Sequence, residues 1–380
     1  MDMLTQRIIG TTVNVAEERP RSSVAKVNLT PATISKTGSV SVGPFAWFVV
    51  AYNIAVILWG AYVRVSGSGA GCGSGWPLCN GEILPSGTQS QTLIEFVHRV
   101  TSALSLVIVS FLVVRCWRRT SKGDWARYSS VCGLFLLFNE ALLGALLVLS
   151  DHVGLDPSAA HALFLCLHFG NTLLQLAALT LTARWLSNRE RHFVVVRKPP
   201  ERFAIGLGLV SVMAIGMTGS LASLGDTIFP VGSLQHALMQ DFSPSSHVLL
   251  RLRLLHPVAA VIGSLYVLWL LGNLQGKRDW SASRLVLGAT LMAQIVLGLM
   301  NVILLAPVWL QMTHLLVAEL FWILLVFASA ELLLVEQQWS GLAREQTSEV
   351  TWSTLKHMPR IRSSFMEIFE NDQKETLRAR

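Results

Sequence analysis

The sequence predicts an all-α membrane protein with eight transmembrane helices, arranged as two tandem, pseudo-symmetric four-helix bundles. Its apolar residues come in blocks of about twenty, the length that crosses the hydrocarbon core of a bilayer. The composition agrees, because 52% of the residues are hydrophobic, 14% are charged and the mean hydropathy is +0.51. In addition, several polar residues recur in the same order in the two halves of the chain, which indicates an internal repeat.

Each apolar block is expected to be a helix, because lipid offers no hydrogen-bond partners to backbone groups. The third block contains Asn139-Glu140 and Gly144, and the seventh contains Gln294, Gly298 and Asn301 in similar surroundings. This correspondence pairs the first four spans with the last four. The predicted spans are residues 45–65, 93–117, 128–149, 158–185, 203–224, 248–271, 285–306 and 308–334.

The spans divide the chain into five parts. Residues 1–43 contain no apolar segment typical of a cleavable signal and are expected to form a flexible cytoplasmic extension. Residues 44–186 form the predicted first bundle, and residues 203–335 form the second. A cytoplasmic linker, 187–202, joins them, and a polar cytoplasmic tail covers 336–380.

The basic residues predict the orientation in the membrane. Lys and Arg gather in alternate loops, whereas the loops at about 67–92, 150–157 and 225–247 contain neither. Because basic residues favour cytoplasmic loops, both termini are expected in the cytoplasm and the loop at 67–92 outside. This bias also accounts for the net charge of +7 without nucleic acid as a partner. We expect a multi-pass protein of the cell (inner) membrane.

Two of the five cysteines share the outward loop. Cys72 and Cys79 lie seven positions apart in a Gly/Pro-rich segment, on the side where oxidising conditions allow disulfides. Closing such a ring is worth on the order of 2–3 kcal/mol in the chain-entropy model. The pair can serve as a loop staple or as a redox-active dithiol, and the sequence leaves both roles open.

Four histidines within the spans are the strongest functional signal, because polar groups in a membrane are costly unless they are paired or bind a metal. His98 corresponds to His256, and His168 corresponds to His314. Facing histidines inside a four-helix bundle can hold a haem iron from both sides, so each half is predicted to bind one haem. His161 is the alternative partner of His98, although the longer preceding loop, 151–157, favours His168.

The two halves differ beside their first histidine. Glu95 precedes His98 by one helical turn, where the second half has Arg253. An acid near iron can manage the proton transfers of oxygen chemistry, so we expect catalysis in the first half and electron transfer or haem storage in the second. Glu140 corresponds to Gln294 and is interpreted as a helix-packing residue.

Four arginines at outward helix ends depart from the distribution of basic residues elsewhere. Carboxylates of a bound cofactor, such as haem propionates, would explain cations at these places. The alternative is that their side chains reach lipid headgroups. These candidates are Arg64, Arg99, Arg251 and Arg253.

Several motifs of the first half together resemble the haem A synthase family. They are Gly60-Ala-x-Val-Arg64, Ser66-Gly-Ser-Gly69, Trp76-Pro-Leu-Cys79-x-Gly81 and Glu95-Phe-x-His98-Arg99, followed by the repeated histidines. The resemblance covers residues 45–334, and the cysteine pair places the chain in the branch with paired cysteines in the first outer loop. Two departures stand out: Pro257 follows His256 where an arginine is common, and the second outer loop lacks cysteines.

The resemblance implies an enzyme that oxidises the methyl group of haem O to a formyl group by successive hydroxylations, with molecular oxygen or water as the oxygen source. His98 and His168 would bind the substrate haem iron, His256 and His314 the iron of a haem b, and Glu95 would be needed for activity. The implied partners are a haem O synthase upstream, an electron donor and a haem-copper terminal oxidase that receives the product. Several copies of the chain forming a homo-oligomer would be compatible with this interpretation.

The residues are also compatible with two other functions. A dihaem membrane cytochrome b without oxygenase activity would explain the histidines and arginines, but it requires neither Glu95 nor the cysteine loop. A transporter would explain duplicated halves, but it predicts matched Gly or Pro breaks near mid-membrane, and the sequence shows no such pair.

Overall fold

The computed structural model describes residues 42–86, 89–187, 192–195, 198–274 and 280–337. Within these ranges, eight helices are long and apolar enough to cross a membrane, which confirms the predicted number of spans. The predicted N-terminal extension and C-terminal tail lie outside the described residues, apart from 42–43 and 336–337.

The first four spans are single helices; a long loop, 66–89, joins the first two, and shorter connections join the others. Asp124 begins the third helix, because its carboxylate accepts a hydrogen bond of 2.8 Å from the Ala126 amide. These helices are α1 Val42–Val65, α2 Ser90–Arg119, α3 Trp125–Leu149 and α4 Ala159–Ser187.

The last four spans include two features that the sequence pattern did not predict. A short helix lies in the outer loop, and the sixth span is interrupted at Leu254. The seventh span ends at Ile303, before the predicted position 306, because Leu305 and Ala306 adopt positive φ angles ahead of Pro307. The elements are α5 Pro199–Ile228, α6 Leu234–Phe242, α7 Val248–Arg253, α8 Leu255–Asn273, α9 Trp280–Ile303 and α10 Val308–Leu333.

Two short strands also depart from the prediction. Strand β1, His192–Val195, pairs antiparallel with β2, Leu334–Gln337, so that His192 faces Gln337 and Val195 faces Leu334. The first strand lies in the predicted linker, and the second follows the last span directly. The ladder therefore connects the linker between the halves to the end of α10.

Each set of four spans closes a ring of neighbouring helices. In the first set, α1 and α3 each contact both α2 and α4; in the second, α5 and α9 each contact both α8 and α10. The two sets meet along α1, α4, α5 and α10. At this junction the indole of Trp322 donates a hydrogen bond of 2.8 Å to the Leu173 carbonyl. The division into two tandem bundles stays a prediction.

A buried polar cluster joins three helices of the first set. The Asn53 carbonyl oxygen accepts hydrogen bonds from Ser105 at 2.7 Å and from Gln175 at 2.9 Å. The Asn53 amide donates to the Val49 carbonyl at 2.8 Å, so every polar group of this side chain is used. Because lipid and apolar side chains offer no replacement partners, the cluster fixes how α1, α2 and α4 pack.

Replacing Asn53 with alanine is expected to lower stability, because Ser105 and Gln175 would keep no common acceptor. The free energy of unfolding should fall by roughly 1–2 kcal/mol, the scale of hydrogen bonds between membrane helices. Thermal or denaturant unfolding of the purified protein in detergent measures this change. The matched control is Asn273→Ala, at an exposed asparagine that bonds only within its own helix; equal losses in both variants would contradict the role of the cluster.

Candidate functional site: two pairs of histidines and the outer loop

The first pair of intramembrane histidines lies on α2 and α4, and each ring packs against a glycine of a neighbouring helix. A Cβ atom at Gly60 of α1 would lie 2.8 Å from Cε1 of His98, closer than real side chains approach. A Cβ atom at Gly144 of α3 would lie 3.6 Å from Cε1 of His168. The two histidines are near enough to interact electrostatically. The structure therefore brings together the predicted pair His98 and His168.

The second pair repeats this arrangement on α8 and α10. A Cβ atom at Gly219 would lie 3.1 Å from Cε1 of His256, and one at Gly298 would lie 3.2 Å from Cε1 of His314. The ring centres of His256 and His314 are 6.4 Å apart. Each of the four predicted histidines thus contacts a glycine on the preceding span, and the four glycines occupy corresponding places in the two halves.

Gly60 and Gly219 contact the histidine rings, although no sequence motif marks them as contacts of the histidines. They precede His98 and His256 by nearly equal numbers of residues, which is the sequence signal that could have revealed them. Only glycine permits such a close approach of a ring to a helix backbone. We refer to each glycine and its histidine as a histidine cradle.

The cradles fit a haem iron, the group that the family implies. Imidazole nitrogens are common iron ligands, and the 6.4 Å between the second pair of rings leaves room for a metal–nitrogen bond of about 2 Å on each side. Nδ1 of His256 donates to the Ile215 carbonyl at 3.1 Å, which leaves Nε2 available to a metal. Among the described residues, Nδ1 of His98, His168 and His314 is buried without a hydrogen-bond partner. Buried polar atoms without partners are uncommon in folded proteins, and a bound ligand is one explanation for them.

A polar side chain stands beside the second histidine of each pair. Oε1 of Glu140 lies 3.3 Å from Nδ1 of His168, without hydrogen-bond geometry, and Nε2 of Gln294 lies 3.2 Å from Nε2 of His314. Glu140 also accepts hydrogen bonds from Asn171 and Thr172 of α4. Its packing role therefore has structural support, and its contact with His168 was not anticipated.

His161, the alternative ligand, lies at the outward end of α4 and already has polar partners. Its backbone amide donates a hydrogen bond to the Ser158 hydroxyl, and its Nδ1 donates to the Asp156 carbonyl at 2.8 Å. Burial acts to raise the pKa of Asp156, but hydrogen bonds from Ser158 and His152 outweigh it and lower that pKa below its usual value. His161 belongs to this outer network, whereas His168 lies in the cradle with Gly144.

The outer loop contains the disulfide that the sequence suggested, between Cys72 and Cys79. Both cysteines are buried, and the loop is bound to the first turns of α2. The Thr92 hydroxyl donates to the Gly71 carbonyl at 2.7 Å, and a Cβ atom at Gly71 would lie 2.5 Å from the Gln91 backbone. This close contact sets the position of the loop above the start of α2.

Glu95 connects this loop to α2. Its carboxylate accepts a hydrogen bond of 2.8 Å from the Cys72 amide and forms a 2.6 Å ion pair with Arg99. The Arg99 guanidinium also donates to the carbonyls of Gly75 and Leu78 at 2.7 and 2.8 Å. Helical spacing places Glu95 one turn from His98, whereas the hydrogen bonds of Glu95 run to the loop and to Arg99.

Two other proposed propionate contacts also have partners within the protein. Arg253 forms ion pairs with Asp226, at 2.8 Å, and with Asp241 of α6. Arg251 is exposed and donates to the Pro244 carbonyl. These two arginines hold the second outer loop in place, and they would have to exchange partners to bind a carboxylate ligand.

Removing the disulfide by a combined Cys72→Ser and Cys79→Ser change is expected to lower the melting temperature. Without the bond the unfolded chain gains conformational entropy, which for a loop of this length is worth about 2–3 kcal/mol of stability. Differential scanning fluorimetry in detergent measures the shift. Cys132→Ser, at an exposed cysteine without a disulfide, is the control. An unchanged melting temperature in the double variant would argue against a structural role and favour the redox alternative.

Adding one methyl group at Gly60 is expected to displace the His98 ring. The Gly60→Ala variant should retain less haem per protein, with the loss confined to the first half, because its Cβ atom would overlap the ring. Pyridine haemochrome analysis of the purified protein measures this ratio. Gly288→Ala is the matched control, since a Cβ atom there meets nothing within 4 Å. Normal haem content in Gly60→Ala would contradict the contact.

Comparison with known proteins agrees with this geometry. The sequence profile of a family described as cytochrome oxidase assembly protein matches residues 44–326. A haem A synthase of Shouchella clausii is 31% identical over 253 residues, covering 64% of this chain and 79% of that protein. A haem A synthase of Staphylococcus saprophyticus is 32% identical, covering 50% of this chain and 64% of that protein.

A more similar relative carries another name. A protein of Thermus thermophilus called protohaem IX farnesyltransferase is 42% identical over 298 residues, which cover 76% of this chain but 48% of that protein. The chain thus spans about half the length of this relative. Since the family profile covers most of the chain and the alignment spans 79% of the Shouchella clausii protein, this chain belongs to the haem A synthase family of cytochrome oxidase assembly proteins.

Proposed function

We propose that the chain is a haem A synthase, which oxidises a methyl group of haem O to the formyl group of haem A. The observation that carries the proposal is the presence of two histidine cradles in each half of a chain that belongs to this family. His98 and His168 bind the substrate haem, and His256 and His314 bind a haem b. When bound, the irons supply the oxidising and electron-transfer chemistry that amino-acid side chains lack.

The reaction adds oxygen to one carbon in two stages. The first hydroxylation replaces a C–H bond of the methyl group with C–OH, and the second gives a geminal diol that loses water to leave the formyl group. With molecular oxygen as the source, each hydroxylation also consumes two electrons and two protons and releases one water. With water as the source, each releases two electrons and two protons. Proton transfer at the first site is required in either case.

Glu95 is the proposed group for this proton transfer. Its carboxylate lies on α2 one turn outward of His98, buried beneath the disulfide loop and bonded to Arg99 and the Cys72 amide. From this position it can pass protons between the outer surface and the histidine site. Arg99 and the loop amide orient the carboxylate for that role.

The proposed orientation is supported by the distribution of Lys and Arg among the loops. The protein lies in the inner membrane with both termini in the cytoplasm and the disulfide loop on the outer face. A haem O synthase supplies its substrate, and a haem-copper terminal oxidase receives its product. A separate electron donor and a homo-oligomer complete the proposed partners.

A dihaem cytochrome b that only transfers electrons is the second candidate. It is favoured by the hydrogen bonds of Glu95, which run to the loop instead of to His98. The name of the Thermus thermophilus relative does not decide between these functions, because the match covers 48% of that protein. Both candidates predict bound haem, and only the synthase predicts consumption of haem O.

Expression in a host without its own haem A synthase tests the proposal. With haem O supplied and air present, extracted haems should include haem A or its hydroxylated intermediate when the intact chain is expressed. The Glu95→Ala variant should form neither in more than trace amounts, because proton transfer at the first site would fail. Chromatography of the extracted haems measures both results.

A conservative variant separates catalysis from loop placement. Glu95→Gln keeps an acceptor for the Cys72 amide but cannot carry a proton as a carboxylate does, so it should keep its bound haem and lose product. Unconsumed haem O with the well-folded intact chain would support the electron-transfer function instead. Conversion of protohaem in the presence of farnesyl diphosphate would favour farnesyl transfer.

A further inference from the structure

The four outward arginines are not equivalent once their partners are counted. Arg99 is bonded to Glu95 and to two loop carbonyls, Arg253 is bonded to two aspartates, and Arg251 is turned to a loop carbonyl. Within the part of the chain that the structure describes, Arg64 makes a single hydrogen bond, of 3.4 Å, to the Ser220 carbonyl. A guanidinium has five N–H donors, so most of its binding capacity remains available.

Arg64 lies between the two histidine sites. It follows Gly60 by four residues, so it is on the same face of α1 and one turn outward of the cradle that holds His98. Its bonding partner, Ser220, directly follows Gly219, the glycine that packs against His256. Arg64 therefore belongs to the first half by sequence, but it reaches the backbone of α5 beside the cradle of the second half.

The charges around Arg64 leave room for another anion. Asp226 is the acid that interacts with it electrostatically, but this carboxylate lies beyond ion-pair distance and is already bonded to Arg253. His161 also faces this region from α4. Burying part of a guanidinium that makes one long hydrogen bond costs free energy. A carboxylate of a ligand bound in the histidine sites would offset this cost.

We infer that Arg64 binds carboxylate groups of both haems, so that one guanidinium links the substrate site to the cofactor site. The inference rests on the proposed function, because it requires a haem in each half. Haem propionates are the carboxylates that would reach an outward arginine, and the planar guanidinium can donate hydrogen bonds to two such groups from different edges. Arg64 would then fix the mutual orientation of the haems and set the potentials of both irons.

Redox potentials of the bound haems test this inference without using catalysis. In the purified, haem-loaded full chain, His256→Ala leaves the first site and His98→Ala leaves the second. Adding Arg64→Gln to each background should lower the potential of the remaining haem, because removing a nearby positive charge favours the oxidised iron. Arg64→Lys keeps the charge and should give a smaller shift. Spectroelectrochemical titration measures each potential.

Arg251→Gln is the matched control, because it removes the same charge from the same side of the protein at an exposed residue turned to Pro244. It should leave both potentials unchanged. A shift in one background alone, no shift in either, or an equal shift with Arg251→Gln would overturn the inference. If Arg64→Gln shifts both potentials but the intact chain forms no haem A, the shared contact stands and the proposed synthase activity fails.

Discussion

Close packing of histidine rings against glycines is the contact on which the rest of the structure depends. At Gly60, Gly219 and Gly298 there is no space for a side chain without moving the neighbouring ring, so the backbone itself forms one wall of each site. This approach fixes the distance between α1 and α2, between α5 and α8, and between α9 and α10. The arrangement of the spans and the geometry of the histidines are thus consequences of the same contacts.

The two halves differ at the ends of the spans near Glu95 and Arg253, and we propose that this difference reflects separate tasks. In the first half, the disulfide loop and Arg99 hold Glu95 above the site. In the second half, Arg253 occupies the corresponding place and is neutralised by Asp226 and Asp241, which attach α6 to the spans. The buried acid beside the first site suits proton transfer. The arginine beside the second site is already paired with two aspartates, which suits electron transfer.

The sequence predicted the eight spans and the disulfide, because long apolar blocks and closely spaced cysteines leave few alternatives in a membrane. It did not predict α6 or the β1–β2 ladder, since both are too short to show a clear period. The partners of Glu95 were also missed, because helical spacing aligns Glu95 equally well with His98 and with Arg99. Tertiary contact with the loop decides between them, and no local pattern encodes that contact.

We propose that the matched histidines of the two halves each hold one haem. The most direct test is a cryo-electron microscopy map of the haem-loaded full chain in a lipid nanodisc. We expect planar density between His98 and His168 and between His256 and His314, with each ring still packed against its glycine. Iron bound to His161, or His98 and His168 separated with no density between them, would contradict it.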